Sequence, residues 1–591
     1  MAGRLEYYDE NIPCLAACPV HTNAGMYVAA IADGRDELAY LTARLPNPFA
    51  SVCGRVCAAP CEDACRRGAI DRPIAIRALK RFVTEKYGPE NDAGGARAWD
   101  RVAAAPEADR STRVAIVGGG PAGLAAAHDL RRHGHRVTIY EANEKLGGAM
   151  WLGIPEYRLD RTVLQRDIDA ILELGIDVHY DTRLGRDITL GALRQDFDAV
   201  FVGIGASLGR GLDMEGADAD GVLKAIEFLV NMNRGFHVDV GERVLVIGGG
   251  DVAMDAARTA LRADDYDEAA GRDPVSDAID AARTAARAGA RHITVMSLER
   301  RDQMPAHEFE VEEAEAEGVS FENGRGPARI LVQNGRVTGV ETKAVTRLTD
   351  DEGRFSPQFD ETDLLVIPAD TVILAVGQAI DLEVLGPDGP EASPRRTIGV
   401  DDLTGATSLA DVWAGGDAAK GPRSLIDAIA DGRRSAADIH RALGGDADDG
   451  PEAGQMVTLR QFHRLDDVYD SYDRIDPPTL DTGRRIGLSE VELGFDELSA
   501  RAEAARCLRC FANIQLDVEK CVLCALCADV CPVDVISLVP AIEVDDTAPA
   551  GATALLLDES RCIRCALCIE RCPPDALSMG VWTGTGVPAC Q

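Results

Sequence analysis

Four short runs of apolar residues divide the middle of the chain, and each has the length of one buried strand. They are Arg113-Val-Ala-Ile-Val117, Arg136-Val-Thr-Ile-Tyr140, Arg243-Val-Leu-Val-Ile247 and His292-Ile-Thr-Val-Met296. Continuous apolar runs of this kind are typical of parallel strands that are covered on both faces. The pattern therefore predicts two α/β units, each built on a pair of parallel strands.

A glycine-rich loop follows the first strand. Gly118-Gly-Gly-Pro-Ala-Gly123 leads into an alanine-rich helix, and Glu141 ends the second strand. In such a loop the first glycine makes the tight turn, the second lets the backbone approach a pyrophosphate, and the third allows close helix–strand packing. The pyrophosphate then lies at the helix N-terminus, and the acid binds ribose hydroxyls. We assign dinucleotide binding here to Gly118, Gly120, Pro121, Ala122, Gly123 and Glu141.

A second loop repeats this design after the third strand. It is Gly248-Gly-Gly-Asp-Val-Ala253, and its assigned binding residues are Gly248, Gly250, Asp251, Val252 and Ala253. The helical segment Asp255–Arg262 recurs almost unchanged as Asp280–Arg287 before the fourth strand begins. We interpret the extra residues as a local surface insertion that carries no chemistry.

Composition excludes some classes of partner. The net charge is −36, from 62 basic and 98 acidic residues, which argues against nucleic acid or an anionic membrane. Residues 1–10 contain no apolar run of secretory length, and no stretch approaches the roughly 20 apolar residues of a membrane span. We expect a cytoplasmic protein, in which clustered cysteines indicate metal or redox chemistry.

All seventeen cysteines lie at the two ends of the chain, and residues 66–506 contain none. Near the C-terminus the bacterial ferredoxin pattern occurs twice, with three closely spaced cysteines and a fourth before proline. In this pattern the fourth cysteine reaches the other cluster, so Cys521, Cys524, Cys527 and Cys572 hold one 4Fe–4S cluster and Cys562, Cys565, Cys568 and Cys531 hold the second. Zinc is the alternative for four thiolates, but two triple-cysteine runs that each end in Cys-Pro favour iron–sulfur clusters. Cys590 has no motif around it and is interpreted as a plain thiol.

Further blocks accompany the two glycine loops: Gly153-Ile-Pro-Glu-Tyr-Arg-Leu159, Met304-Pro-Ala306, Leu374-Ala-Val-Gly377, and Gly415-Gly-Asp417 with Ala428-x3-Gly432. Over roughly residues 10 to 446, the chain resembles the small-subunit family of glutamate synthase, which also covers the nucleotide-binding half of dihydropyrimidine dehydrogenase. The resemblance implies FAD at the first loop and NAD(P)H at the second. It also implies that Asp417 holds the flavin ribityl chain, near a helix N-terminus opened by Pro422. Gly148, Gly377 and Gly416 are assigned to the same cofactor sites.

The choice between NADH and NADPH depends on the end of the fourth strand. NADPH-using relatives carry a pair of arginines there, and the matching positions in this sequence are Leu298 and Glu299. A carboxylate accepts hydrogen bonds from a free ribose diol and repels a phosphate. Arg300 and Arg301 follow directly and could still bind the phosphate. We expect NADH to be favoured, with NADPH as the open alternative.

The N-terminal cysteines resemble the helical iron–sulfur domain of the same family. Cys14-x3-Cys18 matches half of the family's first motif, but the CxxC that completes that motif is missing from the N-terminus. An isolated CxxC, Cys507-Leu-Arg-Cys510, precedes the ferredoxin pattern. We infer that it folds back and completes a first cluster with Cys14 and Cys65.

The second N-terminal cluster of the family uses three cysteines and a Gln or Glu side chain. Cys18, Cys57 and Cys61 match the three cysteines, whereas the Gln or Glu position falls on Lys80, which cannot serve as a ligand. Cys53 is the evident substitute. The alternative is that only one N-terminal cluster forms and some of these cysteines are free.

The predicted fold class is α/β, with two Rossmann-like nucleotide-binding domains and the NAD(P) domain inserted in the FAD domain. An α-helical iron–sulfur domain precedes them, and an α+β bacterial-type ferredoxin domain follows. The expected limits are 1–105 for the helical domain, 106–235 and 371–447 for FAD, 236–370 for NAD(P), 448–506 for a linker and 507–591 for the ferredoxin domain.

These modules leave no residues for a separate substrate domain. We expect an NAD(P)H:ferredoxin-type oxidoreductase that exchanges electrons with ferredoxin or with another redox subunit of a larger complex, alone or as a homo-oligomer. The flavoproteins that serve dissimilatory sulfite reductase and 2-oxoacid:ferredoxin oxidoreductases have a similar module order. Flavin-based electron bifurcation and a non-catalytic redox sensor or scaffold are the alternatives.

Overall fold

The computed structural model describes residues 11–91, 109–236, 238–263, 290–446, 456–459, 469–485 and 487–582. The sequence repeat at Asp280–Arg287 lies outside these residues, so the predicted insertion is not described further. In the described part of the chain, no helix combines the length and the apolar character that a membrane crossing requires.

The helices are α1 (Pro13–Ala16), α2 (Ala24–Ala32), α3 (Asp36–Arg44), α4 (Ala50–Val56), α5 (Pro60–Asp63), α6 (Ile76–Tyr87), α7 (Pro121–Arg132), α8 (Ala149–Leu152), α9 (Arg161–Leu172), α10 (Leu190–Asp196), α11 (Ala225–Asn233), α12 (Asp251–Leu261), α13 (Glu308–Ala316), α14 (Asp417–Lys420), α15 (Leu425–Ala442), α16 (Glu497–Ala505), α17 (Leu526–Asp529) and α18 (Leu567–Glu570).

The strands are β1 (Arg113–Val117), β2 (Arg136–Tyr140), β3 (Asp177–His179), β4 (Ala199–Val202), β5 (Leu208–Gly209), β6 (Val222–Lys224), β7 (Arg243–Ile247), β8 (His292–Ser297), β9 (Ser320–Asn323), β10 (Arg325–Gln333), β11 (Arg336–Thr349), β12 (Phe355–Pro368), β13 (Thr371–Leu374), β14 (Gln378–Ala379), β15 (Val412–Ala414), β16 (Met456–Thr458), β17 (Asn513–Leu516), β18 (Ile536–Pro540), β19 (Thr553–Leu557) and β20 (Leu577–Trp582).

The chain divides into two compact units. One consists of residues 1–104, 444–478 and 494–591, and the other of residues 105–443 and 479–493. The first unit holds the cysteine-rich ends, and the second holds the two glycine loops.

In the second unit, two parallel five-stranded sheets confirm the predicted pair of Rossmann-like domains. Their strand orders are β15-β4-β1-β2-β3 and β6-β13-β7-β8-β9. Strands β1 and β7, which carry the glycine loops, each lie in the centre of their sheet and pair in parallel with the next strand, β2 or β8. Because β15 returns to the first sheet after the second is complete, the NAD(P) domain is an insertion in the FAD domain.

The second sheet extends beyond the limits expected for its domain. Residues Val222–Lys224 of β6 precede residue 236, and Thr371–Leu374 of β13 follow residue 370, yet both strands pair within this sheet. Helix α11 contributes Phe228 and Leu229 to the same core. The expected boundaries were too narrow because a three-residue strand has no recognisable sequence pattern. The long antiparallel sheet β10-β11-β12 was not predicted at all.

The predicted linker, residues 448–506, contains a strand and a helix among its described residues, 456–459, 469–485 and 487–506. Its strand β16 pairs with β20 of the ferredoxin domain, and its last helix, α16, buries Ala500 and Ala504 in the core of the helical domain. Residues 479–493 belong instead to the nucleotide-binding unit, where the Val491 N–H donates to the Tyr157 carbonyl (3.0 Å). These contacts were not predicted because the apolar stretches that make them are short and lie between many charged residues.

A buried ion pair fastens α16 to the helical domain. Glu503, which is fully buried, accepts hydrogen bonds from the Ala75 N–H (2.9 Å) and from Arg506 (2.7 Å). Arg506 also pairs with Asp71 (3.0 Å) and donates to the Arg72 carbonyl (2.8 Å). The segment that leads to Cys507 is therefore held against the N-terminal helices.

Helix α15 packs on α7 through backbone-to-backbone contact. A Cβ atom on Gly432 would lie 2.1 Å from the Ala122 carbonyl oxygen, so only glycine fits. We expect Gly432→Ala to force α15 away from α7 at a cost of about 1–3 kcal/mol. For a domain of this size that corresponds to a fall in the melting temperature of roughly 3–10 °C, measured by thermal unfolding.

Gly191→Ala is the matched control, because a Cβ on Gly191 in α10 would meet nothing within 4 Å. Alanine is the better helix former, so this variant should keep the wild-type melting temperature or exceed it. Equal melting temperatures for the two variants would show that the α7–α15 contact is looser than described.

Candidate functional site: nucleotide loops and cysteine clusters

The first glycine loop is held in a shape that other residues cannot adopt. Gly118 has φ +98°, and a Cβ there would lie 2.4 Å from the Gly203 carbonyl oxygen. A Cβ on Gly123 would lie 1.9 Å from the Gly118 carbonyl oxygen, so α7 touches the loop directly. These contacts bring the N-terminus of α7 close to the end of β1.

The space in front of Gly120 is open. A Cβ there would meet only the Gly148 Cα atom, at 3.8 Å. Gly120 is also the N-cap of the twelve-residue helix α7, which starts with Pro121 and Ala122 and has no side-chain cap. An uncapped helix N-terminus with open space before it suits a pyrophosphate. The residues present therefore fit the diphosphate of FAD.

Glu141 lies directly behind this loop. Its buried carboxylate accepts hydrogen bonds from the Gly119 N–H (2.8 Å), the Asn143 N–H (2.8 Å) and the Asn143 side-chain amide (2.7 Å). Through these hydrogen bonds Glu141 stabilises the glycine loop, a role that the sequence did not indicate. Its predicted contact with ribose hydroxyls remains a prediction.

The second loop repeats these features. A Cβ on Gly248 would lie 2.4 Å from the Ala375 carbonyl oxygen, whereas one on Gly250 would meet nothing within 4 Å. Asp251 begins α12 and accepts from the His307 N–H (2.9 Å), while Val252 and the fully buried Ala253 continue the helix. The open space at the N-terminus of α12 fits a second pyrophosphate.

Glu299 corresponds in position to Glu141. An ideal Cβ on Gly249 would lie 2.9 Å from Glu299 Oε2, and an ideal Cβ on Gly119 would lie 3.2 Å from Glu141 Oε2. Each acid therefore lies over the middle glycine of its own loop. Beyond Glu299, Arg301 forms ion pairs with Glu308 (2.9 Å) and Glu315 (3.0 Å). The neighbouring Arg300 is exposed and has no ion pair within the described residues.

Gly416 and Asp417 lie beside the first loop. Gly416 has φ +63°, and its Cβ would lie 3.0 Å from that of Ala122 at the start of α7. Burial raises the pKa of Asp417 to about 6, although the Arg423 N–H donates to its carboxylate (3.2 Å). Helix α15 begins at Leu425 with Ser424 as its N-cap, so the expectation that Pro422 opens this helix is wrong. The hydroxyl of Ser424, which accepts the Asp427 N–H, is the better cap.

Gly377 lies beyond the end of β13. It has φ +104°, and its carbonyl accepts the Arg210 N–H (3.0 Å). The sequence did not identify Asp431, whose carboxylate accepts the Gly416 N–H (3.2 Å) and pairs with Arg434 (3.0 Å). Only its place in the Ala428-x3-Gly432 block could have signalled it.

Four cysteines from opposite ends of the chain line one cavity: Cys14, Cys65, Cys507 and Cys510. The remaining wall is mostly apolar, with Ile74, Ile76 and Leu508. Burial, together with the smaller effect of the neighbouring Cys510 thiol, raises the pKa of Cys507 to about 12. Thiolates here would need a compensating positive charge, which a metal cluster supplies. The donor set fits a 4Fe–4S cluster.

A second group surrounds Lys80: Cys18, Cys53, Cys57 and Cys61. A Cβ on Gly54 would lie 2.9 Å from the Arg81 backbone, so α4 and α6 are in direct contact there. Cys53 precedes Gly54 and Lys80 precedes Arg81, so both lie next to this contact. A hydrogen bond from Cys53 and the charge of Lys80 lower the pKa of Cys57 to about 6 against the effect of burial. Tyr27, which sequence reasoning missed, is buried and interacts with Cys14, Cys18 and Cys61.

The ferredoxin domain is built from two matching repeats. Leu523, Ala525 and Asp534 have positive φ, and so do Arg564, Ala566 and Asp575 at the corresponding positions. In each repeat a backbone N–H donates to the last cysteine: Val535 to Cys531 (3.4 Å) and Ala576 to Cys572 (3.3 Å). Cys531 lies near Cys565 and Cys568 of the other repeat, as the crossed ligand pattern requires.

The four-cysteine cavity adjoins the second ferredoxin repeat. Arg66, which lines the cavity, donates to the Cys562 carbonyl (3.2 Å). Cys510 is close enough to Cys562 for their charges to interact. Arg66 is one residue beyond Cys65, but nothing in the sequence indicated this contact.

Three family models match successive parts of the chain. Residues 112–432 match the family described as pyridine nucleotide-disulphide oxidoreductase. Residues 7–91 match the dihydropyrimidine dehydrogenase domain II with a 4Fe-4S cluster, and residues 520–576 match the 4Fe-4S dicluster domain. The last match supports iron–sulfur clusters over zinc in the C-terminal domain.

Three curated relatives are similar over most of the chain. The NADP(+)-dependent formate dehydrogenase subunit beta of Moorella thermoacetica is 37% identical and is matched over 84% of this chain and 70% of its own length. The NADPH-Fe(3+) oxidoreductase subunit beta of Geobacter sulfurreducens is 36% identical, over 84% and 75%. The glutamate synthase [NADPH] small chain of Escherichia coli is 31% identical, over 72% and 87%.

The fold and these matches define an FAD-dependent NAD(P)H oxidoreductase that carries 4Fe–4S clusters. The chain belongs to the pyridine nucleotide-disulphide oxidoreductase family, in the branch that includes the glutamate synthase small subunit.

The two open loop positions can be tested separately. We expect Gly120→Ala to fold normally but to lose bound FAD, because its methyl group fills the space before α7. Gly250→Ala should keep FAD and raise the KM for the nicotinamide nucleotide, because its methyl group fills the space before α12. FAD content by absorbance and steady-state kinetics measure the two effects.

Each of these variants serves as the control for the other, since both add one methyl group to an unobstructed glycine. Loss of FAD from Gly250→Ala, with Gly120→Ala unaffected, would reverse the assignment of the two loops.

Proposed function

We propose that this chain is an NAD(P)H:ferredoxin-type electron-transfer subunit that exchanges electrons with ferredoxin or with another subunit of a larger complex. When bound, FAD supplies the conversion between a two-electron hydride and single electrons, which side chains cannot perform. The protein positions the nucleotide at α12 and the flavin at α7, and its cysteines hold the clusters. We also propose a cytoplasmic location, where free thiols stay reduced.

The observation that carries this proposal is the cavity lined by Cys14, Cys65, Cys507 and Cys510. A cluster held there would join the N-terminal and C-terminal ends of the chain. Because Arg66 and Cys510 lie beside Cys562, the same cluster would neighbour one of the ferredoxin clusters. Electrons could then pass between clusters within this unit.

We assign the second N-terminal cluster to Cys18, Cys53, Cys57 and Cys61. The support is their arrangement around Lys80, whose ammonium group cannot bind iron but balances negative charge. Cys53 adjoins the tight contact between α4 and α6, which places it beside the position where the family has Gln or Glu. With the two ferredoxin clusters, this makes about four clusters per chain.

The relatives support a partner subunit. Two of them are named as beta subunits and one as a small chain, so each belongs to a larger enzyme. The reactions in those names, which involve formate, ferric iron and glutamate, differ widely from one another. We propose that the shared part is electron transfer from the nicotinamide nucleotide and that the partner supplies the substrate chemistry.

Reduction by the nucleotide under anaerobic conditions tests the function. We expect NADH or NADPH to bleach the flavin and to give electron paramagnetic resonance signals of reduced 4Fe–4S clusters. Benzyl viologen, whose reduction potential is close to that of the nicotinamide couple, should be reduced in steady state. A protein that contains FAD and clusters but transfers no electrons from either nucleotide would instead be a sensor or scaffold.

The cluster proposed for Cys14, Cys65, Cys507 and Cys510, which both ends of the chain would share, predicts a specific iron content. Wild-type protein purified anaerobically should hold about sixteen iron atoms per chain, and Cys507→Ala about twelve, since one 4Fe–4S cluster loses a ligand. Both ferredoxin clusters should keep their resonance signals. Iron analysis and spectroscopy measure the loss.

Cys590→Ala is the matched control, because this cysteine has no motif around it, and it should keep the full iron content. An iron content in Cys507→Ala equal to that of wild type would remove Cys507 from the ligands. About eight iron atoms in wild type would leave only the ferredoxin pair.

The nucleotide preference rests on Glu299 and Arg300. Glu299 lies over Gly249, at the place that Glu141 occupies in the first loop, which supports contact with a ribose diol. The relatives are named for NADP(H), which supports the alternative. Arg300 is exposed and could bind a 2′-phosphate, whereas Arg301 is already engaged by Glu308 and Glu315.

We expect kcat/KM to be higher with NADH than with NADPH. A carboxylate facing a phosphate costs about 1–3 kcal/mol, which is roughly 5- to 150-fold in preference. Glu299→Ala should narrow the gap, and Arg300→Ala should reduce the use of NADPH more than Arg301→Ala does. Better use of NADPH by the wild type would show that Arg300, not Glu299, decides the preference.

A further inference from the structure

The two ferredoxin repeats present the same face very differently. In the first repeat Val518, Val522 and Leu523 are 75%, 67% and 41% exposed. The corresponding residues of the second repeat, Glu559, Ile563 and Arg564, are only 6%, 4% and 2% exposed. Among the described cysteines only Cys524, in the first repeat, is exposed. One face is therefore covered, and its counterpart is open.

The covered face lies against the N-terminal helical domain. Ala566 belongs to the same apolar core as Cys14 and Leu15, and Ile569 packs against that core. Arg66 donates to the Cys562 carbonyl (3.2 Å), whereas Arg564 is held within the ferredoxin domain by Asn513 of β17 (3.2 Å). The structure thus shows what the face of a repeat looks like when another cluster-bearing domain covers it.

The exposed face of the first repeat has the composition typical of a protein–protein interface, although no part of the described chain covers it. Three apolar side chains lie exposed within seven residues, in the loop that carries Cys521 and Cys524. Interfaces typically combine a small apolar centre with a polar rim, and clustered exposed apolar residues mark binding sites. Because the fold repeats, the internal contact of the second repeat is a direct precedent for this surface.

Charge indicates the kind of partner. The first repeat exposes Glu519, Asp529 and Asp534, while its one nearby lysine, Lys520, is paired with Asp517 (2.9 Å). The whole chain has a net charge of −36. A partner with a basic rim would be attracted and oriented, and an acidic one would be repelled.

We propose that Val518, Val522 and Leu523, around Cys524, form the docking surface for a redox protein with a basic rim around its own redox centre. This inference rests on the proposed function and adds the place where electrons leave the chain. The transfer forms no bond: each NAD(P)H oxidised to NAD(P)⁺ and a proton supplies two electrons, and two partner centres each accept one.

The basic protein cytochrome c is a suitable probe, because its ferric haem accepts one electron and becomes ferrous. We expect Val522→Lys to slow NAD(P)H-dependent cytochrome c reduction about tenfold at low salt, since electrostatic complementarity changes association rates by this order or more. Reduction of the small acceptor benzyl viologen should stay within about twofold of wild type, because it needs no docking surface.

Val366→Lys is the matched control, because this valine is 49% exposed on β12, in the nucleotide-binding unit. It should leave both activities unchanged. Val518→Lys serves as a second test if Val522→Lys loses iron, because Val518 precedes Cys521 by three residues whereas Val522 lies between Cys521 and Cys524. Hydrogen exchange should also show protection of residues 518–524 when cytochrome c is added.

Equal cytochrome c reduction in wild type, Val518→Lys and Val522→Lys, or an equal loss in Val366→Lys, would overturn the docking proposal. If benzyl viologen reduction persists in that case, the proposed function stands and only the docking surface is wrong. A wild-type protein that reduces neither acceptor overturns both.

Discussion

The buried pair of Glu503 and Arg506 holds the two ends of the chain together. Glu503 accepts the Ala75 N–H and the Ile475 N–H, and Arg506 binds Asp71 and the Arg72 carbonyl. Removing one partner of such a pair leaves an uncompensated buried charge, which costs about 3–5 kcal/mol. Cys507 follows Arg506 directly, so this contact fixes the isolated CxxC over Cys14 and Cys65. The proposed electron path through the four-cysteine cavity depends on this contact.

The two glycine loops of the nucleotide-binding unit have the same geometry. In both loops a glycine with a carbonyl oxygen close behind it makes the turn, an open glycine faces the space before a helix, and an acid lies over the middle glycine. Glu141 and Glu299 thus occupy equivalent places in two domains that bind different nucleotides. What distinguishes the sites is the surroundings: Asp417 and Gly416 lie beside α7 only, and Arg300 follows Glu299 only.

Sequence patterns predicted what depends on local spacing. The strands before each loop and the ferredoxin repeats follow from short motifs, whereas the insertion of one nucleotide domain in the other was implied by the family resemblance. The approach of Cys507 to Cys14 was inferred from a missing CxxC rather than from any pattern of contacts. The structure brings Cys14, Cys65, Cys507 and Cys510 together in one cavity.

The remaining features depend on contacts between distant segments. The three-residue strands β6 and β16 have too few residues for a pattern, and the polar strands β10–β12 resemble loop sequence. Tyr27 and Arg66 act only through neighbours supplied by the fold. The linker was misjudged because its buried alanines, Ala500 and Ala504, are dispersed among charged residues.

The central claim is that both ends of the chain share one iron–sulfur cluster. Anomalous diffraction at the iron absorption edge, on crystals grown without oxygen, tests it most directly. We expect four compact iron peaks per chain, one of them enclosed by the sulfur atoms of Cys14, Cys65, Cys507 and Cys510. Iron peaks confined to the ferredoxin repeats, with none in this cavity, would contradict the account.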